Sequence, residues 1–152
     1  MKSPNVPNLL KDKRPNVAIL LARIAAGGIL FYEGLAKMIV EPSIVVAHFA
    51  SHGFPFAELI GPTITVFEFA AGILIVVGIY SRQLAFLAAL EMIVATVVNL
   101  LDSNIGGAEV SILMFAGMAS VYFVGDGRFS IRHILATKIN KTAPTSTDPA
   151  KA

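Results

Sequence analysis

Long apolar stretches alternate with short polar breaks four times along this chain. The first stretch covers residues 17–40, about 24 residues or ~36 Å at helical rise, more than the ~30 Å hydrocarbon core of a bilayer. A polar segment at 41–58, with Pro42, His48, His52, Gly53 and Pro55, reads as a loop. Further apolar stretches run over 59–80, 84–101 and 108–124. Ser81, Arg82 and Gln83 leave room only for a tight antiparallel connection, and 102–107, with Gly106 and Gly107, make a second turn. The fourth stretch, about 17 residues, is at the short limit for a transmembrane helix. The pattern predicts an all-α integral membrane four-helix bundle.

The ends differ from the middle. Residues 1–16 carry Pro4, Pro7 and Pro15 with four basic residues and read as an irregular arm, with a short surface helix near 8–12. Pro15 suits the opening turn of the first long helix. Gly125, Asp126 and Gly127 break the fourth span; a short interfacial helix is expected over 130–140, and the Pro/Thr/Ser-rich remainder reads as disordered. The organisation is thus an arm (1–16), a bundle (17–124) and a tail (125–152). A cleavable signal peptide is not expected. The first stretch is longer than a signal core, and Glu33 and Lys37 stand where a neutral cleavage site belongs.

Composition sharpens this reading. Charged residues make up 14% of the chain and hydrophobic ones 55%, against about 25% charged in soluble domains. Mean hydropathy is +0.73, and a single domain of 152 residues could not hide so much apolar surface from water. There is no cysteine, which excludes disulfides, thiolate metal sites and thiol redox chemistry in this chain. A net charge of +2 and pI near 9.0 do not point to nucleic acid, because the basic residues flank the spans. Ten of the twelve Lys and Arg residues fall on the side holding both termini and the Arg82 turn. The positive-inside rule makes that side cytoplasmic: N-in, C-in.

Six charged residues remain in or beside the spans: Arg23, Glu33, Lys37, Glu68, Glu91 and Glu109. Charges in hydrocarbon cost several kcal/mol and face the bundle interior or a watery cavity, so they mark candidate sites. At 100° per residue, Arg23, Gly27, Leu30, Glu33, Gly34 and Lys37 share one sector of the first helix. Gly61, Thr65, Glu68, Gly72 and Ile75 align on the second, Ala88, Glu91, Ala95 and Asn99 on the third, and Glu109, Ala116 and Ser120 on the fourth. Arg23 lies about 9 Å and Glu91 about 10 Å from the inner ends of their spans, which predicts an Arg23–Glu91 pair. Two cations face four carboxylates, and a buried carboxyl without a cation favours its protonated form.

His48 and His52 stand at i, i+4 spacing, which suits a metal ion on a helix. With no third ligand adjoining them, they read as a boundary pair meeting headgroups or a partner, and no metal site is expected. Bis-histidine haem ligation is disfavoured, because His133 falls on the opposite side. The glycines read as packing positions, since no strand precedes them to form a phosphate loop.

The order of motifs resembles the DoxX family of small membrane proteins. The matching residues are Leu21-Ala22-Arg23, Gly27, Gly28, Gly34 and Lys37, then Gly53-Phe54-Pro55. Glu68, Gly72, Leu74, Gly78, Arg82 and Met92 follow, and the match ends on Gly125-Asp126-Gly127-Arg128-Phe129-Ser130. The resemblance covers 17–135 and keeps Arg23, Lys37, Glu68 and Arg82 of the pattern. It implies a four-helix membrane fold and an association with redox chemistry, the family taking its name from membrane subunits of thiosulfate:quinone oxidoreductase. Without cysteine or an intramembrane histidine, an electron carrier would be a quinone or belong to a partner.

The leading expectation is a membrane subunit or anchor of a quinone-linked oxidoreductase complex, not a stand-alone enzyme. It would have no covalently bound cofactor, with quinone the candidate ligand. Arg23, Glu68 and Glu91 would hold a quinone head group and exchange protons. A non-catalytic scaffold or assembly partner is the alternative, and a small-solute or ion transporter, which four helices could form only as an oligomer, ranks third. Expected partners are lipid and other membrane or redox subunits, or further copies of the chain, in a bacterial inner or archaeal plasma membrane.

Overall fold

A computed structural model of the chain describes residues 13–39 and 42–131. They form five helices: α1 (Lys13–Ile39), α2 (Pro42–Ser51), α3 (Ala57–Val77), α4 (Ser81–Leu101) and α5 (Ile105–Val124). The arm before residue 13 and the tail after 131, with their expected surface and interfacial helices, lie outside the described residues. Four helices, α1, α3, α4 and α5, are long and apolar enough to cross a membrane. Their outward faces are apolar; Leu21, Leu59, Leu113 and Phe123 are among the exposed side chains. Such a surface requires lipid as its solvent. The protein is a multi-pass membrane helical bundle.

The bounds differ from the sequence reading in several places. α1 opens at Lys13 rather than at 17. α3 ends at Val77, so the tight connection is formed by residues 78–80, while Ser81, Arg82 and Gln83 open α4. The expected loop at 41–58 contains α2, because Val45, Val46 and Phe49 give a short segment an apolar face that folds back on α3. There Val45 and Phe49 pack over Gly61. The fourth span, α5, begins at Ile105 and has 20 residues rather than about 17, since Gly106 and Gly107 lie inside its first turn. Asn104 caps it by accepting from the Gly107 N–H at 3.1 Å.

α1 packs chiefly on α3 and α4 chiefly on α5, and the two pairs meet along α1–α5 and α3–α4. The α1–α3 contact is set by two glycines. A methyl group at Gly34 would stand 2.8 Å from the Phe69 Cα, and one at Gly72 would stand 2.6 Å from the Phe31 Cα. Only hydrogen fits at either position, so the backbones touch, as small residues permit in lipid. Phe31 and Phe69 interlock beside this contact, ring centroids 5.1 Å apart.

Pairing Gly34 with Glu68–Phe69 fixes how far the helices overlap. At one end α3 begins eleven residues before Glu68 while α1 ends five residues beyond Gly34, an overhang of about 9 Å. α2 fills that space. At the other end α1 extends past α3, so Arg23 stands level with Gly78 and the α3–α4 turn. The end with Arg82, Arg128 and the start of α1 is called the basic end here, and the other, with His48 and His52, the histidine end.

The core is Ile19, Ala26, Leu30, Ala71, Ile75, Ala85, Ala88, Ala89, Met92, Met114, Met118 and Val121. The expected inward residues of α3, Gly61, Thr65, Glu68, Gly72 and Ile75, are all buried. On α5 the expectation fails. Glu109, Ala116 and Ser120 are exposed, and Ala108, Ser111, Met114, Met118 and Val121 face the core. The polar positions do not mark this helix's inner face; large adaptable methionines at helical spacing do.

Candidate functional site

The overlap of α1 and α3 brings Lys37 down to Glu68. Lys37 Nζ donates to Glu68 Oε1, and the Glu68 side chain is only 3% exposed. Glu91 of α4 completes the group, lying within electrostatic reach of both Glu68 and Lys37. Glu68 Oε2 and Glu91 Oε2 are both buried and have no hydrogen-bond partner among the described residues. A cation and two carboxyls therefore meet where three spans converge.

This group lies at the edge of a cavity of about 1000 Å³ bounded by all five helices. Apolar side chains form most of its wall, among them Phe49, Ile64, Phe67, Met92 and Met114. From Glu91 towards the histidine end the polar lining runs through Asn99, Ser111 and Asn104. Asn104 Nδ2 donates to Asn99 Oδ1 at 2.8 Å, and Asn99 Nδ2 donates to the Ala95 carbonyl at 2.8 Å and to Ser111 Oγ at 3.4 Å. Glu33 and His48 also line the cavity. Glu109 is exposed and outside it.

Arg23 does not join this group, and the expected Arg23–Glu91 pair is absent. Its side chain is fully buried at the basic end. Nε donates to the Ile75 carbonyl at 2.8 Å and Nη2 to the Val76 carbonyl at 2.6 Å, both in the last turn of α3. Nη1 donates to the Asp126 carbonyl at 2.7 Å, and the Asp126 carboxylate adds an attraction. Carbonyls in the last turn of a helix lack intrahelical donors and carry the negative end of its dipole, so a planar cation with several N–H groups suits them. Gly78, at φ 81°, closes α3 in the left-handed conformation, and a side chain there would strike the Arg23 Cζ at 2.8 Å. Depth counted from the span ends misled because α1 overhangs α3. Glu91 is ten residues into α4 from the turn at which Arg23 sits, about 15 Å deeper.

At the histidine end, His48 and His52 gain a third neighbour. His52 Nε2 contacts Asp102 Oδ1 at 2.9 Å, and its Nδ1 contacts the His48 carbonyl at 2.8 Å. That carbonyl and then the Asp102 carboxylate hold the imidazole above its ordinary range. The ligand atoms of His48, His52 and Asp102 all lie within 4.8 Å of one another. Asp102 is fifty residues from His52; its only sequence signal was a place in a turn on the same side of the membrane.

Sequence spacing thus singles out Lys37, Glu68 and Glu91 and puts Asn99 on the face of Glu91, but it gives neither their grouping nor the parts played by Ser111 and Asp102. No curated protein and no solved structure matches the chain. The DoxX family model matches residues 18–100, which take in nearly all of α1 through α4 and with them Lys37, Glu68 and Glu91. The match covers more than half of the chain, over helices that form a membrane bundle, and the protein belongs to the DoxX family.

Proposed function

We propose that the protein is a quinone-binding membrane subunit of an oxidoreductase complex, its site being the cavity edged by Lys37, Glu68 and Glu91. The observation that carries this reading is a half-buried cation, Lys37, paired with the buried Glu68 and close to Glu91, beside a largely apolar cavity within the spans. A cavity of about 1000 Å³ has room for a quinone ring and the start of its tail. The two unpartnered carboxyl oxygens are groups able to donate to or accept from a ring oxygen. A bound quinone would supply a two-electron, two-proton couple.

This chain's own residues would manage the protons. Lys37 balances one carboxylate; the second carboxyl is then neutral when protonated and can release that proton or take one up. Asn99, Asn104 and Ser111 offer polar partners between Glu91 and the histidine end. Apolar side chains make up most of the wall beside these groups. The chain has no cysteine, so a thiolate-held electron carrier would belong to another subunit. The basic end would face the cytoplasm, in line with its Lys and Arg content.

Glu68→Gln tests the reading, since it keeps size and hydrogen bonding while removing the exchangeable proton. Purified in mild detergent, the variant should match wild-type yield but lose extractable quinone or binding of a short-tailed benzoquinone. Wild-type quinone content and turnover in the intact complex would remove Glu68 from the mechanism and favour a scaffold.

A further inference from the structure

We propose that His48, His52 and Asp102 bind one divalent transition-metal cation, Zn²⁺ being the ion this donor set suits, and that the ion ties α2 to the α4–α5 turn. The site is separate from Lys37, Glu68 and Glu91 and does not depend on the quinone reading. Two imidazoles and one carboxylate form a borderline nitrogen–oxygen set that favours Zn²⁺ over Ca²⁺ or Mg²⁺, which prefer oxygen alone.

The geometry is close to what the ion requires. In a tetrahedral zinc site with bonds of 2.0–2.1 Å, neighbouring ligand atoms stand about 3.3 Å apart. His52 Nε2 and Asp102 Oδ1 are already 2.9 Å apart. No pair among the three residues' ligand atoms exceeds 4.8 Å, so closing the set takes side-chain rotation of about 1.5 Å at most. His52 Nδ1 faces the His48 carbonyl at 2.8 Å. Histidine ligands commonly donate their second ring N–H to a carbonyl, which fixes the ring and leaves the other nitrogen for the metal. His48 and Asp102 are exposed, so the ion has a path in.

Place in the fold gives the ion a role. α2 packs chiefly on α3, and His52–Asp102 links its end to the α4–α5 turn. His48 on one side and Asn104 on the other line the cavity. A cation held by both sides would fasten this end of the cavity, and three protein ligands leave a fourth position for water or a ligand group.

The test uses the full chain in detergent with its purification tag removed, titrated with Zn²⁺ by calorimetry and assayed for bound metal after gel filtration. Wild type should hold one equivalent. His48→Gln, His52→Ala and Asp102→Asn should each weaken binding at least about tenfold, while His133→Ala should not change it. Co²⁺ in place of Zn²⁺ should give the visible absorption of a tetrahedral centre. The His48 ring hydrogen-bonds to nothing among the described residues, so His48→Gln separates binding from folding if His52→Ala is unstable. Absence of saturable binding in wild type, or wild-type affinity in His48→Gln, would overturn the site and leave His52–Asp102 an ion pair only.

Discussion

Lys37 of α1 donates a hydrogen bond to Glu68 of α3 one turn beyond the point where Gly34 brings the two backbones together. The ion pair therefore depends on the glycine contact. Were α1 to ride higher on α3, Lys37 would return towards the histidine end and leave two carboxyls without a cation.

A mutant cycle measures this coupling. Lys37→Met leaves Glu68 and Glu91 without their cation, and stranding a buried charge costs about 3–5 kcal/mol. Lys37→Met with Glu68→Leu removes both partners and should recover much of that loss, read as thermal stability in detergent. Arg23→Leu and Glu91→Leu, separated in depth and sharing no partner, should instead add to within about 0.5 kcal/mol. Strong coupling between Arg23 and Glu91 would contradict the packing described here.

The glycines make a sharper contrast. Gly34→Ala drives a methyl into the Phe69 backbone, which cannot move aside as a flexible side chain would, so a loss of about 1–3 kcal/mol is expected. Gly28→Ala, in the same helix, meets nothing within 4 Å and should be neutral or stabilising by up to about 1 kcal/mol. Paired melting curves in one detergent decide it. Equal effects would mean that α1 and α3 are not in contact at Gly34.

Orientation can be read by labelling, for which a chain without cysteine is convenient. A cysteine at Gln83 should react with an impermeant maleimide only from the cytoplasm, and cysteines at Ser51 or Asn104 only from outside. Labelling of Gln83 from outside would reverse the topology.

What the sequence made legible follows from what periodicity encodes. Apolar runs reveal spans because hydrocarbon imposes a minimum length, and the inward face of α3 was readable because Gly61, Thr65, Glu68 and Gly72 repeat at helical spacing. The partner of Arg23 was not readable. Periodicity reports the direction a residue faces but not how far one helix slides along another, and that offset is set by Gly34 and Gly72 meeting the backbones of Phe69 and Phe31. Nor could Glu109 be separated from Ser111, two positions on, until packing decided which side of α5 met the core. The site lies where helices of different register meet, and register is a tertiary property.

Arg23 carries a consequence for the order in which the protein is made. Its partners lie 52, 53 and 103 residues further along the chain. At a synthesis rate of about 5–20 residues per second, the last of them emerges roughly 5–20 s after the arginine. Through that interval α1 carries a guanidinium with its intended acceptors still unmade, held by water, headgroups or the insertion machinery. The final hydrogen bond closes only when Asp126 arrives. A chain stopped short of that residue would keep all four spans yet leave the buried arginine one acceptor short.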